Sequence, residues 1–168
     1  VKTRLPWLFV NLLTAFVAAA VVGMFTNVVK ALPALAAWMT VISGMGGNAG
    51  TQALAVTVRR LALGLIAPTA FLRVIAKEVM VGLAAGVSTG VVTAIVAVLF
   101  RQPAMLGVVV CLAMMGNLLV AGFAGAFIPL VLERFKVDPA VASSVFVTTF
   151  TDVCGFALLL GLGGYFLL

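Results

Sequence analysis

The sequence of 168 residues contains no histidine, two cysteines and four acidic residues. The absence of histidine excludes a Ser–His hydrolase mechanism. Cys111 and Cys154 lie in separate apolar segments, so we expect neither a disulfide framework nor a thiolate cluster for soft transition metals. Charged residues make up 8% of the chain, whereas a soluble domain carries roughly 25%. Because hydrophobic residues reach 65%, the composition predicts an integral membrane protein whose surroundings are the lipid bilayer.

Charged residues, prolines and glycines divide the sequence into five apolar segments. These segments cover residues 6–29, 32–58, 74–100, 103–132 and 139–168. Each is long enough for a membrane-spanning helix, which needs about 20 apolar residues. We therefore predict an all-α membrane protein with five transmembrane helices.

The basic residues between the segments indicate how the chain is oriented. Eight of the ten Lys and Arg residues lie before the first segment, near the connection between the second and third segments, or between the fourth and fifth segments. These three regions would lie on the same side of the membrane as the N-terminus. The other two basic residues, Lys30 and Arg101, would lie on the opposite side. The positive-inside rule then predicts a cytoplasmic N-terminus and an outside C-terminus in the cell (inner) membrane. This placement accounts for the net charge of +6. A nucleic-acid partner is not expected, because no aromatic residues are interleaved with the basic ones.

Asp152 is the one acidic residue set deep inside an apolar segment. A charge at the bilayer centre costs at least about 2.5 kcal/mol, and such residues usually face water or an ion. Ser144, Thr148 and Asp152 are spaced i, i+4, i+8 and so share one helix face, which predicts the polar wall of an ion path. The hydroxyls could alternatively bond to carbonyls of their own helix. A buried ion pair for Asp152 is the weaker alternative, because no cation lies deep in any segment.

The second segment contains a glycine-rich polar motif. It reads Ser43-Gly44-Met45-Gly46-Gly47-Asn48-Ala49-Gly50-Thr51-Gln52. Four glycines weaken a helix, so we predict a backbone opened towards the path, with its carbonyls and Asn48 facing it. The alternative is close helix packing through Gly46 and Gly50. Counted from the cytoplasmic ends, Asn48 lies about 17 Å deep and Asp152 about 20 Å deep, so the two are expected to meet.

The oxygen groups available here suit a hard cation. Mg²⁺ keeps most of its water and prefers few direct protein ligands. One carboxylate per chain is too little for a bare divalent ion, but two copies across a twofold axis would supply two. The residues therefore predict a homodimer with a central pore. Glu78, near the start of the third segment, is expected instead to pair locally with Arg73 or Lys77 or to cap the helix, and a contact at the dimer interface is the alternative.

Four stretches of the chain resemble the MgtE family of magnesium channels. They are Arg4-Leu5-Pro6-Trp7-Leu8-Phe9-Val10-Asn11, Gly44 to Gln52, Lys77-Glu78-Val79-Met80-Val81-Gly82, and Asp138-Pro139-Ala140 continuing to Thr151-Asp152-Val153. The resemblance extends over essentially the whole chain. It implies that residues 1–168 form a five-helix transmembrane domain that dimerises around a Mg²⁺ path. Family members also carry a cytoplasmic N-terminal domain and a CBS-domain pair, which we do not find, so these regulatory domains are expected partners.

The resemblance also implies roles for individual residues. Asp152 would hold a hydrated Mg²⁺, with Asn48, the carbonyl of Thr148, and Ser144 near that ion. Asp138 would lie at the cytoplasmic mouth, where a second ion binds; an ordinary helix N-cap is the alternative for this residue. Recognition of a hydrated ion separates similar ions poorly, so Mn²⁺ and Co²⁺ are further candidates.

These residues favour a passive Mg²⁺-selective channel. The alternative is a proton-coupled secondary carrier of divalent cations in which Asp152 takes up a proton or the ion, although carriers usually show paired repeats that this sequence lacks. A two-aspartate intramembrane protease would need a second deep aspartate. We therefore expect a transport protein and not an enzyme.

Overall fold

The computed structural model describes residues 5–168, apart from the side chains of Pro68, Ala140 and Val141. Its helices are α1 (Leu5–Met24), α2 (Thr26–Ala31), α3 (Ala34–Ala62), α4 (Phe71–Leu99), α5 (Ala104–Arg134) and α6 (Pro139–Leu167), with a 3₁₀ turn at Pro68–Ala70. The described chain is all-helical, which confirms the all-α part of the predicted fold class; the homodimer stays a prediction. The basic residues Lys2 and Arg4, used above to orient the chain, lie outside the described residues.

Four of the five long helices are long and apolar enough to cross a membrane. They are α1, α4, α5 and the part of α6 from Ala142 to Leu167. The 29-residue helix α3 would measure about 43 Å, but its glycines, Asn48 and Gln52 lower its hydropathy. A fifth span through α3 therefore stays a prediction.

The first predicted segment is divided at Phe25, between α1 and α2. Thr26 Oγ1 donates to the carbonyl of Gly23 at 2.6 Å. Phe25 N–H donates to the carbonyl of Val22 at 3.0 Å, three residues earlier, as in a 3₁₀ helix. Side-chain hydroxyls that bond to the backbone offer it an alternative to the helical ladder, and a helix break results here.

Helix α5 lies at the centre of the molecule. It packs against α3, α4 and α6, while α1 packs against α6. Its buried residues cover most of its circumference and leave one exposed stripe that runs from Met105 to Phe127, so other helices surround it on most sides. Glycines allow the closest approach to α4: a Cβ at Gly86 would lie 2.9 Å from Cα of Met115. Small residues of this kind hold transmembrane helices together by letting backbones touch.

Three helices end in the same hydrogen-bonded motif. At the end of α3, Gly64 N–H donates to Leu61 O at 2.9 Å and Leu65 N–H donates to Arg60 O at 3.0 Å. This pair of bonds requires one residue in the left-handed region. Gly64 supplies it for α3 (φ +66°), whereas Arg101 (φ 57°) and Lys136 (φ 56°) supply it for α4 and α5.

Candidate ion-binding site

The glycine-rich motif lies within one uninterrupted helix, α3. The predicted opening of its backbone is therefore wrong, and the alternative, close packing through Gly46 and Gly50, is what the structure contains. A Cβ at Gly46 would lie 3.1 Å from Cβ of Thr151, and one at Gly50 would lie 2.5 Å from Cγ1 of Val147. Both glycines let α3 approach α6 more closely than any other residue would allow.

This packing brings Ser43 of α3 against Asp152 of α6. Ser43 Oγ donates a hydrogen bond to Asp152 Oδ1 over 2.5 Å, and both side chains are half-buried. Hydrogen bonds to a carboxylate are shorter and stronger than those between neutral groups. Among residues 5–168 no hydrogen bond reaches the second oxygen, Oδ2. The serine thus orients one oxygen and leaves the other available.

Asn117 of α5 lies directly behind this pair. Its Nδ2 donates to the carbonyl of Ile42, the neighbour of Ser43, at 2.9 Å. The amide is fully buried between Gly46 and Gly155, where an added Cβ at Gly155 would lie 2.8 Å from Nδ2. Its Oδ1 has no hydrogen-bond partner among the described residues. Asn117 therefore joins α3, α5 and α6 at the level of the Ser43–Asp152 contact.

The hydroxyl of Thr148 is bonded within its own helix. Thr148 Oγ1 donates to the carbonyls of Ser144 (2.9 Å) and Val145 (3.0 Å). The carbonyl of Thr148 in turn accepts from Thr151 Oγ1 at 2.9 Å. The alternative interpretation of the hydroxyl stripe is therefore correct for Thr148. Ser144 is exposed on the same helix face.

Asn48 is exposed and does not share the direction of Ser43. The two residues point about 140° apart around α3. Asn48 belongs instead to a stripe at spacing i, i+4, i+7, i+8, i+11 that is exposed or half-buried, which we call the open face of α3. It comprises Thr40, Gly44, Gly47, Asn48 and Thr51. A Cβ at Gly44 or Gly47 would meet nothing within 4 Å, so no part of residues 5–168 covers this face at these two positions.

Asp138 lies apart from Asp152. It is exposed and immediately precedes α6. Fourteen residues of helix separate the two carboxylates by about 21 Å. Among the described residues no three His, Cys, Asp or Glu side chains form a group that could hold a metal ion. Among residues 5–168, Asp152 is therefore the only carboxylate near the middle of a helix that is long and apolar enough to cross a membrane.

Glu78 of α4 is a buried carboxylate on the other side of α5. It is 6% exposed and lines a cavity of about 190 Å³ facing α3, together with Gln52 and Ala53. Among the described residues Glu78 forms no ion pair. The expected local pair with Arg73 or Lys77 is wrong, because those two side chains line a separate cavity.

Sequence reasoning missed Ser43 as the partner of Asp152. The depth estimate counted residues from the cytoplasmic helix ends as if these ends were level, and so it favoured Asn48. The contact between Gly46 and Thr151 sets a different register between α3 and α6. The available signal was the position of Ser43 three residues before Gly46, which is nearly one helical turn.

Comparison with known proteins identifies relatives of this chain. Residues 39–162 match the family model MgtE, described as a divalent cation transporter. The chain is 37% identical over 164 residues to the magnesium transporter MgtE of Enterococcus faecalis, and 34% identical over 164 residues to that of Bacillus subtilis. It is also 34% identical over 158 residues to the magnesium transporter MgtE of Thermus thermophilus. These matches cover 94–98% of this chain but 35–36% of the relatives, so the chain spans about a third of their length. The chain belongs to the MgtE family of divalent cation transporters.

Proposed function

We propose that this chain is the ion-conducting membrane part of a Mg²⁺-selective channel. Two copies form a homodimer with five spans each, and their Asp152 carboxylates hold one hydrated ion between them. The observation that carries the proposal is the half-buried carboxylate of Asp152, near the middle of α6 and oriented by Ser43. A carboxylate at that depth requires water or a cation.

The open face of α3 supports a second copy across a water path. Asn48 is exposed on it, and an exposed amide is costly against lipid, where water cannot satisfy it. Two Asp152 carboxylates balance the charge of one divalent ion, whereas one does not. The twofold arrangement therefore supplies water around the open face and charge balance at the ion.

The remaining site residues take supporting roles. Asn48, Ser144 and the carbonyl of Thr148 offer oxygen atoms to the water shell of the ion, which Mg²⁺ gives up reluctantly. Asp138 attracts ions at the cytoplasmic mouth. The N-terminus is cytoplasmic and the C-terminus lies outside the inner membrane. Mn²⁺ and Co²⁺ enter the same path because contact through water discriminates weakly between these ions.

The test compares two identical substitutions on one helix. Mg²⁺ influx into proteoliposomes is measured with an enclosed fluorescent indicator for the native chain, Asp152→Asn and Asp138→Asn. Loss of an interaction with a charged group costs at least about 1.5 kcal/mol, so Asp152→Asn is expected to reduce influx by at least about tenfold. Asp138→Asn is expected to reduce it far less, because it leaves the central carboxylates intact. Native influx in Asp152→Asn would contradict the proposal.

The same vesicles distinguish a channel from a proton-coupled carrier. A channel conducts Mg²⁺ at equal internal and external pH, driven by the Mg²⁺ gradient and the membrane potential. A carrier that uses Asp152 as its proton site requires a pH gradient. Influx that vanishes when the pH gradient is collapsed at constant potential would replace the channel by the carrier.

A further inference from the structure

Three basic side chains converge on one cavity at the end of α3 and the start of α4. Arg60, Arg73 and Lys77 line a space of about 260 Å³, whose other walls are Leu65, Ala70 and Val74. Arg73 and Lys77 share a face of α4 at spacing i, i+4.

The turn after α3 closes this cavity. With Gly64 in the left-handed region, Leu65 N–H bonds back to the carbonyl of Arg60 at 3.0 Å. Leu65 is thereby held beside Arg60, and both line the cavity. The turn thus holds the basic residue Arg60 and the apolar residue Leu65 next to each other in the wall of the cavity.

The three positive charges of this cavity have no ion-pair partner among the described residues. Among residues 5–168 no carboxylate forms an ion pair with Arg60, Arg73 or Lys77. Glu78 follows Lys77 in sequence but lines the separate cavity on the α3 side. Like charges held close together without a counter-ion repel each other, so the group is complementary to an anion.

The start of α4 lies at the same cavity, where Ala70 and Arg73 are among the lining residues. Its N-cap residue, Ala70, forms no side-chain cap hydrogen bond, and no acidic residue lies in the first turn. The first N–H groups of a helix lack intrahelical partners and carry the positive end of its dipole, which favours phosphate-like anions. The positive end of the α4 dipole and the three cations therefore favour the same kind of ligand.

Apolar surface beside the cavity indicates what kind of anion fits. Leu63 is 61% exposed, Leu65 is 64% exposed and Leu72 is 81% exposed. Leu72 belongs to α4, which is long and apolar enough to cross a membrane, and a leucine this exposed at the end of such a helix would contact acyl chains. A small inorganic anion would use the cations and leave these side chains unused, whereas a phospholipid uses both.

We propose that this cavity binds the phosphate headgroup of an anionic phospholipid. The phosphate oxygens accept from Arg60, Arg73 and Lys77, and the acyl chains lie along the exposed leucines. Basic pockets between transmembrane helices at the membrane surface are suited to such headgroups. The cavity does not include Asp152, so the lipid proposal and the ion-channel proposal can be refuted independently of each other.

Native mass spectrometry of the purified protein, titrated with phosphatidylglycerol or phosphatidylcholine, tests the proposal. One phosphatidylglycerol per chain is expected to bind in preference to phosphatidylcholine. A cation near a phosphate contributes about 1 kcal/mol, so Arg60→Gln is expected to weaken binding by about fivefold. Arg59→Gln is the matched control, because it removes the same charge from the neighbouring position and does not line the cavity. Its affinity for phosphatidylglycerol is expected to stay native.

Several results would overturn the proposal. Equal weakening in Arg59→Gln and Arg60→Gln would mean general attraction of the basic surface, and equal binding of the two lipids would mean no headgroup selection. Displacement of the lipid by millimolar inorganic phosphate would indicate a small-anion site instead. Retention of affinity in the triple variant Arg60→Gln, Arg73→Gln, Lys77→Gln, with native size-exclusion behaviour, would also exclude this cavity.

Discussion

Replacement of glycine by alanine at two positions of α3 is expected to change stability in opposite directions. Gly46→Ala places a methyl group against the amide of Asn117 and near Cβ of Thr151 (3.1 Å). Gly44→Ala, two residues earlier on the same helix, places the same group where nothing lies within 4 Å. The two variants share composition, depth and helix, so their difference isolates the packing of α3 on α5 and α6.

The magnitudes follow from the contacts. A methyl group forced into a packed interior costs about 1–3 kcal/mol. Displacement of Asn117 also breaks its 2.9 Å hydrogen bond to Ile42 O. The buried amide is then left without a hydrogen-bond partner, which lowers the free energy of unfolding by about 1–3 kcal/mol. Alanine recovers about 1 kcal/mol of helix propensity at either position. Gly46→Ala should therefore lose about 1–5 kcal/mol, whereas Gly44→Ala should gain up to about 1 kcal/mol.

Reversible unfolding by SDS in mixed micelles, followed by circular dichroism, measures both free energies. The reasoning requires Gly46→Ala to unfold at lower SDS than the native chain and Gly44→Ala at the same or higher SDS. If Gly46→Ala is as stable as Gly44→Ala, the glycine contact with Asn117 does not hold the helices together.

Two further predictions concern the ion site and the helix ends. Ser43→Ala removes the hydroxyl that donates to Asp152 Oδ1. Because a hydrogen bond to a charged group contributes at least about 1.5 kcal/mol, Mg²⁺ influx in proteoliposomes should fall by about tenfold. Native influx in this variant would show that Ser43 is not needed. Arg101→Gly and Lys136→Gly relieve left-handed backbone strain of roughly 1 kcal/mol and should raise the SDS unfolding midpoint, whereas Gly64→Ala should lower it; a uniform shift of all three would contradict the assigned helix ends.

The long helices could be predicted from the sequence because composition decides them. Long uncharged runs such as residues 79–100 leave the backbone no alternative to a helix in lipid. The break at Phe25 could not be predicted in this way. It depends on whether the hydroxyl of Thr26 bonds to Gly23 O or points outward, and both are compatible with the same apolar pattern.

Asp152 could be singled out because a deep carboxylate is costly wherever it lies. Its partner Ser43 could not, since the contact depends on how far α3 slides along α6. That register is set by Gly46 and Gly50 against Thr151 and Val147. The glycines themselves are ambiguous in sequence, because both a packed helix and an opened backbone need residues without side chains.

The decisive measurement is the structure of the protein in lipid with Mn²⁺ as an anomalous scatterer, followed by replacement with Mg²⁺. The channel proposal predicts one ion on a twofold axis between two Asp152 side chains, about 4 Å from each carboxylate because a water molecule lies between them. Asp152 side chains turned towards lipid, or held apart with no water or ion between them, would contradict it.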